Sequence, residues 1–256
     1  MSSPQKTLTI QRRFQQATTR LFDYFNTSES TVLIILATLV GILGGLGAVG
    51  FRLLIDGLQT LTVGQTGTSI LDRLNEMPWW LILCLPAIGG LFVGPLVWFF
   101  AREAKGHGVP EVMEAVALRG GRIRPRLVFV KSLASAITMA TGGSVGREGP
   151  IVQVGSAIGS TLGQMLRLPQ DRLRVLVGCG AAAGIAATFN APVAGVIFSI
   201  ELILGSYAIT TLTPIIISSV TATVVCYAFP AITGGNVRAF IIPFPYELVS
   251  AWEIPL

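Results

Sequence analysis

The sequence predicts an all-α, polytopic membrane protein, and three observations carry that prediction. Of its 256 residues, 52% are hydrophobic and only 12% are charged, and the mean hydropathy is +0.69. Several apolar runs approach or exceed the ~20 residues that cross a bilayer as a helix. Glycine and proline interrupt those runs repeatedly, and broken helices persist in lipid only where they line a cavity. Cys84, Cys179 and Cys226 each lie inside an apolar run, so they read as small core residues and not as a disulfide framework or a metal cluster. The formal net charge of +5 fits an excess of Lys and Arg in cytoplasmic loops better than a nucleic-acid surface.

Each element follows in order. Residues 1–26 carry Lys6, Arg12, Arg13 and Arg20 interleaved with Phe14, Leu21, Phe22 and Phe25. No apolar stretch follows the charged start, which argues against a cleavable signal peptide and for an amphipathic helix on the cytoplasmic surface. Residues 31–58 make the first span, with Gly41, Gly44, Gly45, Gly47 and Gly50 in its second half; small residues let helices approach closely in lipid. The loop 59–78 has Arg73 as its one basic residue and is expected outside. Trp79 and Trp80 mark the interface, where indoles settle, and 79–101 returns inward.

Arg102, Lys105, Arg119, Arg122, Arg124, Arg126 and Lys131 form the densest basic region, which is therefore expected to be cytoplasmic. Within it, 111–118 is a helix too short to span. Residues 126–141 climb outward and 151–166 come back if Arg167, Arg172 and Arg174 are also cytoplasmic, which makes a re-entrant hairpin. Residues 173–188 are rich in Gly and Ala, Phe189-Asn190-Ala191-Pro192 breaks the chain, and 193–204 form a short helix carrying Glu201. Residues 209–229 are the last clear span. The expected organisation is a cytoplasmic helix over 1–26, a transmembrane unit over 27–229, and an extracytoplasmic linker with the start of a further element over 230–256.

The hairpin is broken at Gly142-Gly143-Ser144-Val145-Gly146-Arg147-Glu148-Gly149-Pro150. Glycine lets a backbone approach a ligand closely, and proline suits the first turn of a new helix. A helix N-terminus opening inside a membrane directs free N–H groups and positive dipole at the break, which suits an anion. Glu148, itself anionic, could occupy that site and compete for it. Gly106-His107-Gly108-Val109-Pro110 repeats the theme of glycines, one polar side chain and a helix-opening proline. Glu111 and Glu114, a turn further on, read as a solvated face; with His107 they could imitate a metal site, but no second histidine or nearby cysteine supports one. Gly155, Gly159 and Gly163, four apart, read as a packing seam. Several interrupted helices aimed at one depth point to a transport site. The rival from another class is an intramembrane enzyme using His107 and Glu148 as acid and base, which lacks a nucleophile.

Gly146-Arg147-Glu148-Gly149-Pro150 resembles the GREGP/GKEGP signature of the CLC family of chloride channels and proton–chloride antiporters. Gly106-His107-Gly108-Val109-Pro110 is similar to that family's GSGIP signature, with His107 in place of the usual serine. Asn190-Ala191-Pro192-Val193-Ala194-Gly195 resembles a third family segment. The resemblance covers nearly the whole chain and implies the first of two inverted-topology repeats, built of broken and re-entrant helices. It implies that Glu148 is a gate, blocking the outer anion site when ionised and swinging away when protonated. It puts His107 where a serine hydroxyl binds the central anion, with the N–H groups of Val109, Gly149 and Ile151 as further ligands. Chloride would be the cargo, with no cofactor and no nucleic acid. A homodimer in the cell (inner) membrane, N-terminus cytoplasmic, is implied as well.

Two departures qualify the likeness. The second repeat's GxFxP motif, and the tyrosine that closes the inner side of the anion site, have no counterpart, so the chain is expected to supply half a pore. Antiporters carry a glutamate near the end of the helix after Asn-Ala-Pro, where an ungapped match puts Leu202, with Glu201 one residue earlier. Leucine relays no proton, which tilts the reading toward passive anion conduction. Glu201 stands open between a proton relay and a solvated helix end.

Overall fold

A run of thirteen buried residues between Leu173 and Ala187 sits at the centre of the molecule, on the helix Gln170–Phe189. The structure, a computed structural model, describes residues 29–64, 73, 75–100 and 108–229. In order the helices are α1 (Glu29–Val63), α2 (Trp79–Phe100), α3 (Gly108–Leu118), α4 (Pro125–Ala140), α5 (Glu148–Met165), α6 (Gln170–Phe189), α7 (Pro192–Phe198), a π-helical turn (Ser199–Leu204) and α8 (Ile209–Tyr227). Among the described residues none is in a strand. The expected amphipathic helix over 1–26 and linker over 230–256 lie outside the described residues, as do Gly106 and His107.

Among the described residues, four helices are long and apolar enough to cross a membrane, beginning at Thr31, Trp79, Gln170 and Ile209. The protein is an integral membrane protein. α4 and α5 are not among those four; joined through the break at 141–147, they pack on one another. α1 exceeds its expected end at residue 58 and runs 35 residues to Val63, about 52 Å at 1.5 Å per residue. Falling hydropathy did not end it because its polar tail is held internally. Thr60 Oγ1 donates to Asp56 O at 2.8 Å, and Thr62 Oγ1 to Leu58 O at 3.0 Å and to Ala140 O at 2.8 Å, which docks the tail on α4.

Small residues let α6 bury itself on all sides. Gly155 of α5 and Gly180 of α6 lie backbone to backbone, so that a Cβ on either would strike the other's carbonyl; Gly159 meets the carbonyl of Leu176. The glycine ladder is thus the α5–α6 seam. α1 and α8 pack on α6 from other sides, and hydroxyls add second donors to its carbonyls: Ser199 Oγ to Gly178 O at 2.7 Å and Ser218 Oγ to Cys179 O at 3.0 Å. A carbonyl has two lone pairs, so these bonds cost α6 none of its own. Asn190 ends α6 in the left-handed region at φ 53°, turning the chain into α7. α2 stands apart: it packs chiefly on α4, through Gly89 against Thr141, and leaves Trp79, Leu91 and Phe99 exposed.

Candidate functional site

The N-termini of α3 and α5 meet. A Cβ on Gly108, the first residue of α3, would lie 2.6 Å from the carbonyl carbon of Gly149 and 2.7 Å from its Cα. Only a residue without a side chain allows backbones this close. Both helices begin earlier than residue-by-residue polarity suggests: α3 at Gly108 and α5 at Glu148, each carrying its proline inside the first turn, where no N–H is needed. Two positive dipole ends, each worth roughly half an elementary charge, therefore converge at Gly108 and Gly149.

The break leading to α5 is a tightly bonded turn. Gly142, at φ 85°, donates to Met139 O at 3.2 Å, and Gly143 donates to Thr138 O at 2.8 Å. Arg147 is the N-cap of α5 and gives it no side-chain cap, which leaves the first-turn donors to other acceptors. Of the expected α5 ligands, Gly149 N–H has no intrahelical partner by position. Ile151 N–H closes the first intrahelical bond, on Arg147 O at 3.3 Å, so it could serve an anion only by sharing that bond. Ile151's side chain is buried beneath the site at 1% exposure. Val109, half-buried, lies in the first turn of α3.

Glu148 is exposed, and its carboxylate bends back over Gly146, where a Cβ would collide with Oε2. The space over that glycine is thus filled by the glutamate two residues on, at the mouth of its own helix. Arg147, also exposed, lies within electrostatic reach of Asp56 on α1, which pairs with Arg52 at 3.9 Å. The third motif is near: the π-helical turn after Asn190-Ala191-Pro192 packs beside α3, with Glu201 and Leu202 both exposed. π turns recur at functional sites.

One expectation fails. Glu111 is not on a solvated face: its Oε2 accepts from Lys131 Nζ of α4, and from Gln153 Nε2 of α5 at 2.7 Å. Glu114 is solvated and pairs with Arg119 at 2.7 Å. By charge count alone Lys131 belongs with the cytoplasmic loop charges. Its position seven residues into an apolar helix was the available signal, because a charge inside a membrane segment is rarely idle.

The sequence profile of the family described as voltage-gated chloride channel matches residues 89–255. The chain is similar to a ClcB-like chloride channel protein of Ralstonia nicotianae, 34% identical over 226 residues, covering 87% of this chain and 51% of that protein. It is also similar to the voltage-gated ClC-type chloride channel ClcB of Citrobacter koseri, 30% identical over 217 residues, covering 84% and 51%. A CLC-type fluoride/proton antiporter superposes with a TM-score of 0.67 at 26% identity, over 90% of this chain and 53% of that chain. A slow cyanobacterial Cl⁻/H⁺ antiporter shares the fold, with a TM-score of 0.60 at 24% identity over 76% and 46%. The chain spans about half the length of the relatives it matches.

Proposed function

Because the chain belongs to the voltage-gated chloride channel (CLC) family, we propose that it forms the first half of a chloride pathway gated by Glu148. The observation that carries this reading is the meeting of two helix N-termini at Gly108 and Gly149, with a carboxylate folded over the adjoining glycine. A chloride ion there takes N–H donors from Val109 and Gly149, and the two dipoles replace part of its hydration. Ile151 contributes by sharing its bond to Arg147 O. Gly106, His107 and Pro110 belong to the same sequence motif as Gly108 and Val109, and His107 is the donor where the family has serine. Gly146, Arg147 and Pro150 hold Glu148 at the mouth. Ionised, Glu148 competes for the same donors; protonated, it releases them. The intramembrane-enzyme reading falls with the family assignment.

The half-length match supports a pore completed by a second repeat of the same family. The family likeness supports a homodimer within the cell membrane, and the basic loops support a cytoplasmic N-terminus. Chloride is cargo, and the cycle calls for no cofactor. Leu202 at the inner position supports passive conduction. Proton-coupled exchange is the second reading, supported by the exposed Glu201 on its π-helical turn. The test is chloride efflux from liposomes holding the chain with and without a second repeat supplied by co-expression or fusion, with proton movement recorded in parallel. The reading expects efflux only with both halves. Strong efflux from the 256-residue chain alone would show that half a pore suffices, and chloride-driven proton uptake would favour exchange.

A further inference from the structure

The same carboxylate oxygen that the sequence assigns to solvent holds three helices together one turn beneath the meeting N-termini. Glu111 Oε2 takes Lys131 Nζ from α4 and Gln153 Nε2 from α5. The side chains of Lys131 and Glu111 are 12% and 22% exposed, and Gln153 is 3% exposed. Glu111 and Gln153 also floor a cavity of about 650 Å³, whose wall carries Arg119 and Arg122. The trio therefore acts on α3 and α5 at two levels. It fixes their spacing, as a strut one turn in from the Gly108–Gly149 contact. It also places one positive and one negative charge close to two dipole ends.

We propose that Glu111, Lys131 and Gln153 are positioning residues that set the anion affinity of the α3–α5 junction through charge as well as spacing. This rests on the anion-site reading above. Charge makes a prediction that a mere strut does not. Losing Glu111's charge leaves the lysine's positive charge beside the helix ends, so anions bind more tightly. Losing Lys131's charge leaves the carboxylate, so anions bind more weakly. The cavity admits water, so an effective dielectric of about 20 applies; for unit charges roughly 10 Å apart, one charge is then worth on the order of tenfold in affinity.

The experiment titrates the purified full chain, joined to a second repeat by co-expression or fusion, in detergent with sodium chloride against sodium gluconate at constant ionic strength. It reads the chloride-dependent rise in unfolding temperature as an apparent affinity. Expected are about tenfold tighter binding in Glu111→Gln, about tenfold weaker in Lys131→Met, parental affinity in the double variant, and parental affinity in Lys131→Arg. Gln153→Leu, which alters spacing but no charge, is expected to weaken binding. If Lys131→Met does not fold, Lys131→Gln takes its place. Weakening in both charge variants, in step with their lost stability in gluconate, overturns the charge role and leaves a strut. A parent chain with no chloride response overturns the anion-site reading and this inference with it.

Discussion

Replacing Gly108 by alanine tests the site through its tightest contact. The new methyl would stand 2.6 Å from the carbonyl carbon of Gly149, whereas carbons rest at about 3.5–4.0 Å. The two helix ends must therefore part by about 1 Å. Overpacking of this kind costs about 1–3 kcal/mol, while alanine recovers up to ~1 kcal/mol of helix propensity over glycine. The fold should survive, with a modest loss of thermal stability. Anion binding should not. Moving a charge-assisted N–H donor by that distance forfeits most of a bond worth about 1.5–3 kcal/mol, roughly tenfold to a hundredfold in affinity. Gly149→Ala is the control, because its methyl would meet only Gly108 Cα at 3.6 Å and N at 3.8 Å, an ordinary contact. Helicity by circular dichroism, and chloride binding by calorimetry on the same preparations with the second repeat supplied, make the comparison. A folded Gly108→Ala chain that binds chloride as the parent does would refute the argument, as would a Gly149→Ala chain that unfolds.

Three further outcomes follow from the same geometry. With the second half supplied, Glu148→Ala should conduct chloride at every pH between about 4.5 and 8, a range bracketing ordinary Glu and His titration. The parent's flux should rise on acidification, and Glu148→Gln should resemble its acid form; a Glu148→Ala protein that still switches like the parent, even with His107→Ser, would sink the gate. Gly180→Val puts a side chain onto the Gly155 carbonyl and should cost about 3 kcal/mol or more, seen as lost detergent-extractable folded protein. Cysteines placed at Arg122 and Arg172 should label from the cytoplasmic side alone; outside labelling of Arg172→Cys would break the hairpin.

The sequence by itself determined the class, the spans and the place of the break. Apolar runs near twenty residues leave a chain in lipid almost no choice but helix, and Gly-Pro punctuation marks where a helix must begin, so Gly149-Pro150 and Val109-Pro110 announced their N-termini. The glycines of α5 announced a seam, since a ladder four apart lines one helix face. Composition cannot say what that face meets. Only the tertiary structure decided that Gly155 meets Gly180, that Gly108 meets Gly149 across forty residues of chain, and that the Glu148 carboxylate lies over Gly146. It also decided the fate of charge. Glu111 on a helix too short to span reads as solvated until α4 and α5 bring Lys131 and Gln153 to it. The polar tail of α1 reads as loop until Thr62 finds Ala140. In each case the deciding partner lies on another helix, and a pattern along one chain records the period of an element, not which neighbour its face is pressed against.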